Sequence, residues 1–208
     1  MSIHKDEEQQ VEAIKKWWKE YGLTTIAGVV IAILIVLGWQ YYQRAEMAKR
    51  DHASVAYETF ITAQMSGDTD RAQSAANVLL SQFKKTSYAQ LAEFWLAKMA
   101  VEKQQYSLAN QHLMEIVQHA KEPGWRDIAR IRLARINLEQ QQSQQALTQL
   151  QSVGQSYQGL ANVVRGDAYT QLKQFAQAKK AYHQALTQLP PDAPINALIK
   201  MKLANLPL

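Results

Sequence analysis

Between Glu20 and Arg44 the chain carries no charged side chain, and residues 23–37 are almost wholly Ile, Val, Leu, Ala and Gly. Residues 21–42 would run roughly 33 Å as a helix at 1.5 Å per residue, which matches a hydrocarbon core of about 30 Å. The ten Leu, Ile and Val side chains of residues 23–37 favour insertion by roughly 3 to 6 kcal/mol, against which Thr24 and Thr25 cost little. Trp17, Trp18 and Tyr21 precede the apolar run and Trp39, Tyr41 and Tyr42 follow it. Rings of this kind prefer the headgroup level, so they mark both interfaces. A cleaved signal peptide usually has a shorter apolar region and a small-residue cleavage site, neither of which this run offers. The expectation is one uncleaved transmembrane helix over residues 23–42, a tail over residues 1–22 and a soluble domain over residues 43–208.

Charge alone leaves the orientation open. Lys5, Lys15, Lys16 and Lys19 lie on one side and Arg44, Lys49 and Arg50 on the other, so the positive-inside rule leans only slightly to a cytoplasmic N-terminus. In the tail, Val11, Ile14, Trp18 and Tyr21 recur at three- and four-residue intervals among Glu7, Glu8, Glu12, Lys15, Lys16 and Lys19. That spacing suits either an amphipathic helix lying in the interface or an extension of the membrane helix.

The domain after the span is long enough to bury a continuous core without metals or disulfides. Cysteine is absent from all 208 residues, which removes thiolate zinc sites, disulfide frameworks and cysteine nucleophiles together. Residues 43–208 hold 19 Lys and Arg against 13 acids. These charges are interspersed, with short pairs such as Lys84 and Lys85, so no nucleic-acid-binding patch is expected.

Helical stretches of about 15 residues alternate with breaks at residues 66–68, 84–87, 104–107, 122–124, 142–143, 154–159, 173–174 and 190–192, and Gly and Pro fall almost wholly in those breaks or at helix ends. About nine helices result, and no run alternates with the period of a strand. The turns align into a repeat. Its last copy, Gly166, Tyr169, Ala178, Tyr182, Ala185 and Pro190, resembles the tetratricopeptide pattern. Upstream, Ala134 leads to Ala146, Leu150 and Val153; Ala97 leads to Ala109, Leu113 and Ile116; Phe60 leads more loosely to Ala72, Ala76 and Leu79. The anchoring residues Ala72, Ala109, Ala146 and Ala178 are spaced around the standard period of about 34. Small residues recur because antiparallel helices approach closely only where one contact is small. Ile195, Leu198, Ile199, Leu203 and Leu206 define a capping helix. The fold class is therefore all-α: one N-terminal transmembrane helix, then a tetratricopeptide-like solenoid of helical hairpins closed by a C-terminal cap.

Chemistry is not expected. His112 and His119 are seven apart, too far for joint ligation on one helix, and His4, His52 and His183 are isolated. No HExxH, nucleophile elbow, phosphate loop or dinucleotide fingerprint occurs. Asp127, Asp167 and Glu139 could face a groove, yet lone carboxylates on helical repeats are usually solvated. The chain is expected to be no enzyme and to need no cofactor or metal, which leaves a binding surface. In a stack of helix pairs the first helices line a concave face that holds extended peptides or partner helices. The repeat register places Tyr57, Ile61, Gln64, Phe94, Lys98, Val101, Ile131, Arg135, Leu138, Val163, Asp167 and Thr170 there.

Several segments resemble a known family. Residues 10–22 with Trp17, Trp18, Tyr21 and Gly22, the apolar span, Gly38, Trp39, Tyr41 and Tyr42, then Ala53 to Tyr57 are similar to the ancillary SecYEG translocon subunits of Gram-negative bacteria, the YfgM-like family. The similarity continues through Leu133, Ala134 and Arg135, through Arg165, Gly166, Asp167 and Ala168, to Leu203, Ala204, Asn205 and Leu206. The resemblance implies a bacterial inner-membrane protein with a cytoplasmic N-terminus and a periplasmic repeat domain. It also implies association with the SecYEG translocon and the membrane-anchored chaperone PpiD, hand-over of exported polypeptides to periplasmic chaperones, and a link to an envelope stress response. A self-associating envelope scaffold tethering a cell-wall or division complex, or a binder of anionic lipid, would use the same anchor and repeats.

Overall fold

A computed structural model describes residues 3–207, and their side chains except those of residues 3–10 and Ala13. The expectations for the side chains of His4, Lys5, Glu7 and Glu8 lie outside the described side chains. Nine α-helices and one 3-10 turn are found among the described residues, with no strand. Helix α1 spans Ile3–Met65 and contributes to two compact units, a first ending at His52 and a second beginning at Ala53.

In the first unit the tail and the apolar span form one helix with no break between them. Apolar side chains along it lie open, Leu23 at 84% and Ile35 at 67%. A core helix would be covered by protein, and this one is not, so its apolar surface needs lipid. The ring of Trp18 lies over Gly22, one helical turn further on, whose missing Cβ leaves the space.

The second unit is a stack of helical hairpins. The end of α1 pairs with α2 (Thr69–Gln82), α3 (Ser87–Glu102) with α4 (Tyr106–His119), α5 (Pro123–Glu139) with α6 (Ser143–Gln151), and α7 (Gln158–Gln171) with α8 (Phe175–Gln188). Helix α9 (Ile195–Ala204) closes the stack, burying Ile199 against Val163, Ala178, Tyr182 and Ala185. Local chemistry sets several boundaries: Asp68 and Thr86 accept hydrogen bonds from the first turns of α2 and α3, and Pro123 stands in the first turn of α5.

All four anchoring alanines, Ala72, Ala109, Ala146 and Ala178, are fully buried. Four residues further along each second helix stands a buried Ala76, Leu113, Leu150 or Tyr182, and the matching first-helix positions are Phe60, Ala97, Ala134 and Gly166. Large faces small in every pair, and the order is reversed in the first. That reversal explains the looser sequence match of the first copy.

The four hairpin turns share one geometry. Gly67, Gln104, Gln141 and Lys173 have φ between 56° and 74°, in the left-handed region. After each, a backbone N–H reaches five residues back: Asp68 to Ala63, Gln105 to Ala100, Gln142 to Asn137 and Gln174 to Tyr169. This is the Schellman ending of a helix, usually built on glycine. Three of the four turns build it on a longer side chain, so sequence inspection finds the break without finding its shape.

Adjacent first helices touch, α3 with α5 and α5 with α7, whereas neighbouring second helices such as α4 and α6 make no comparable contact. First helices therefore lie on the inner side of the curve.

Candidate partner-binding groove

A groove of about 400 Å³ runs between the inner helices α3 and α5. Ala97 and Val101 from α3, Ile136 from α5 and Leu113 from α4 make its apolar floor, and Lys98, Glu102, Arg132, Arg135 and Glu139 stand along its edges. Lys98 lies 3.6 Å from Glu102, one helical turn on. Both side chains are largely exposed, so the pair contributes little to stability.

The two arginines differ from that pair. Among the described residues neither Arg132 nor Arg135 has a carboxylate within ion-pair distance. Arg132 rests with its guanidinium carbon 4.4 Å from the centre of the Phe94 ring, a contact that orients the cation and leaves its donors free. Burial, and then repulsion from Arg135, lowers the Arg132 pKa from its ordinary value. A guanidinium stays charged through such a shift, so two arginine charges stand beside the apolar floor, with Glu102 and Glu139 along the same edges. An apolar side chain with a neighbouring carboxylate is its chemical complement.

The structure sorts the sequence-derived face. Lys98, Val101 and Arg135 line the groove together. Phe94, Ile131, Leu138 and Val163 are buried at 3 to 7% exposure; they hold helices together and present no open surface, which corrects their assignment to a lining. Inner helices are packed by their own partner helix and by the next repeat, so one apolar stripe does not tell groove from core. Tyr57 and Ile61 pack on the first core cluster, Tyr57 stacked on Tyr88 at 4.8 Å, and Gln64 is half-buried near the end of α1.

Asp167 and Thr170 also serve packing. The Tyr182 hydroxyl donates to Asp167 Oδ1 at 2.6 Å, and Lys202 of α9 donates to the same oxygen. Burial, with the Asp167 hydrogen bond, pushes the Tyr182 pKa well up. The ring sits against Gly166, where any Cβ would overlap it. Arg165 donates to Gln158, to Asn162 and, at 2.8 Å, to the Leu150 carbonyl that ends α6. Residues 165–167 thus act as one joint between α6, α7, α8 and α9. Asp127 differs from expectation too: it is buried, pairs with Arg130 at 3.2 Å, and lies where a Cβ on Gly154 would meet its carboxylate.

Sequence reasoning missed Arg132, Glu102, Ile136, Leu113 and Ala97 as groove residues. Arg132 and Glu139 stand one helical turn from Arg135, and that i, i+3 and i+4 spacing was the available signal. Two of the five histidines meet a carboxylate, His112 Nδ1 with Glu93 at 2.5 Å and His119 with Glu115 at 3.1 Å. The His112 pair clips α3 to α4.

Four hairpins, a capping helix and one open apolar helix define a membrane-anchored helical-repeat protein. The tetratricopeptide repeat-like domain family matches residues 15–207. A protein of Aggregatibacter actinomycetemcomitans is 33% identical over 97% of this chain and 98% of its own length, and one of Haemophilus influenzae is 30% identical over 99% and 100%. A third, from Escherichia coli K12, is 26% identical over 99% of both chains. Each of these relatives is named ancillary SecYEG translocon subunit. The chain belongs to this family of tetratricopeptide repeat-like ancillary translocon subunits, as a single-pass membrane protein. No solved structure matches it significantly.

Proposed function

We propose that this chain is an inner-membrane interaction module of the SecYEG translocon, a binding protein and not an enzyme. In this reading the tail, residues 1–22, lies in the cytoplasm, residues 23–42 span the membrane, and residues 43–208 form a periplasmic domain that recruits a PpiD-type chaperone and aids transfer of exported polypeptides. A part in envelope stress control follows from the same placement. The observation that carries the reading is the α3/α5 groove, where an apolar floor adjoins two arginines that have no carboxylate within ion-pair distance among the described residues. Its occupant is a short partner segment that places an apolar side chain over Val101 and Leu113 and a carboxylate at Arg132 and Arg135.

Site-specific photocrosslinking from Lys98 of the membrane-embedded chain tests this. Capture of a translocon subunit, the chaperone or an exported chain is expected, with loss when Arg132 and Arg135 are both replaced by Gln. Capture of none of the three in a correctly folded protein defeats the reading. A reporter fused after Leu208 that is active only outside the cytoplasm checks the orientation.

A further inference from the structure

The charges of the α3/α5 groove are sorted by sign along its length. The chain reverses direction at the short turns between α3, α4 and α5, so α3 and α5 run the same way. On α3, Lys98 precedes Glu102 by four residues; on α5, Arg132 and Arg135 precede Glu139 by seven and four. Cations therefore gather at one end of the groove and carboxylates at the other, one to two helical turns away, roughly 6 to 10 Å. Glu102 and Glu139 are also the last residues of their helices, so the negative ends of two helix dipoles add to the acidic end. Glu139 is exposed and has no cation within ion-pair distance among the described residues, which leaves it as open to an incoming charge as the two arginines. The pattern belongs to the groove and not to the repeat. At the equivalent positions the first hairpin has Ile61 and Met65, and the last has Gln171 and an Asp167 already held by Tyr182 and Lys202.

We infer that the occupant of this groove is an amphipathic helix of the partner protein, with a carboxylate and a cationic side chain two turns apart on one face and apolar residues between them. The inference rests on the groove being a partner site, as proposed above, and adds which partner segment fits. On a helix, residues i and i+7 share a face about 10 Å apart, the interval that separates Arg132 from Glu139 along α5. Residues i+3 and i+4 fall between them over the floor, where Ala97 and Val101 are small enough for a helix to come close. One docked helix then sets its acid at Arg132 and Arg135 and its base at Glu139 while burying its apolar stripe. A segment acidic throughout would meet the arginines at one end and be repelled by Glu102 and Glu139 at the other, so the groove selects mixed charge in a fixed register.

Fluorescence anisotropy tests this, with the full-length protein in detergent, protein-free micelles as the blank and labelled helical peptides as probes. The reference probe is an alanine-rich helix with Glu and Lys seven residues apart and two Leu between them on the same face. At low salt it is expected to bind about three- to tenfold more tightly than the same helix with Glu at both positions or Lys at both, since an opposite-charge contact replaces a like-charge one. Moving the Lys to five residues from the Glu puts the two charges on different faces and loses the same factor. In the double variant Glu102→Lys, Glu139→Lys, two exposed changes that leave the core untouched, the order inverts and the probe with two Glu binds best. Equal affinity for the mixed-charge and two-Glu probes, equal affinity for the two spacings, no inversion in the double variant, or no binding of any probe to protein with native circular dichroism overturns the inference. Capture of native partners from Lys98 decides the partner-site reading separately, so a groove that holds a partner of another kind fails this test and passes that one.

Discussion

The first and last repeats fill the same space with opposite residues. At the start of the stack a large Phe60 on the first helix meets a small Ala76 on the second, and Phe60 also takes the edge of Trp95 at 5.4 Å. At the end a bare Gly166 receives the Tyr182 ring, and Asp167 takes its hydroxyl. Between them, Ala97 with Leu113 and Ala134 with Leu150 use intermediate sizes. What the fold requires is a summed volume at each hairpin and a helix separation that fits it; which helix supplies the bulk is free.

Truncating the large member should do the most damage, at either end. Phe60→Ala and Tyr182→Ala are each expected to destabilise the domain by about 3 to 5 kcal/mol, read from denaturant unfolding of the full chain in detergent. Adding bulk opposite is smaller: Gly166→Ala should cost about 2 kcal/mol, because the new Cβ overlaps a ring that Asp167 holds in place. Adding Tyr182→Leu to Gly166→Ala recreates the pair found in the middle repeats, so the double variant should be less damaged than the sum of the singles by about 1 kcal/mol or more. Simple additivity would break the complementarity argument.

The hydroxyl separates the two ends by pH. Tyr182 has its pKa raised above the ordinary value of 10.0 in the fold, so its contribution is fully present below about pH 10 and is lost as the pH rises toward the folded value. Tyr182→Phe should flatten the alkaline limb of the stability curve, whereas a change at Phe60 should leave that limb alone. The smallest expected effect is at the turns. Gln104→Gly or Gln141→Gly should stabilise by about 0.5 to 1 kcal/mol, since glycine enters the left-handed region without the Cβ penalty. The same gain is already present at Gly67, and thermal midpoints of the single variants check it.

Much of this was legible in advance because it rests on local pattern. The charge-free run announced the span, the breaks announced nearly every helix end, and the alanine spacing announced the hairpins. Phe94, Ile131, Leu138 and Val163 were misplaced because inner helices are apolar on two sides, and residue type does not say which side faces an opening. Gln104, Gln141 and Lys173 gave no hint of left-handed backbone, since the residue that normally signals it is missing there. The segment of residues 165–168 supported the family resemblance, and the structure supplies the cause: an arginine capping a neighbouring helix, a glycine beneath a ring, a carboxylate shared by two helices, and a buried alanine.

Arg165 reaches the Leu150 carbonyl, and Gln171 accepts from Ser143 while donating to the Leu138 carbonyl at 3.1 Å. Through these side chains the third and fourth hairpins are stitched into a single mechanical block. Tugged from the C-terminal end by an attached client, that block would yield in one step and not helix by helix, and its amide hydrogens would exchange with solvent on a common clock.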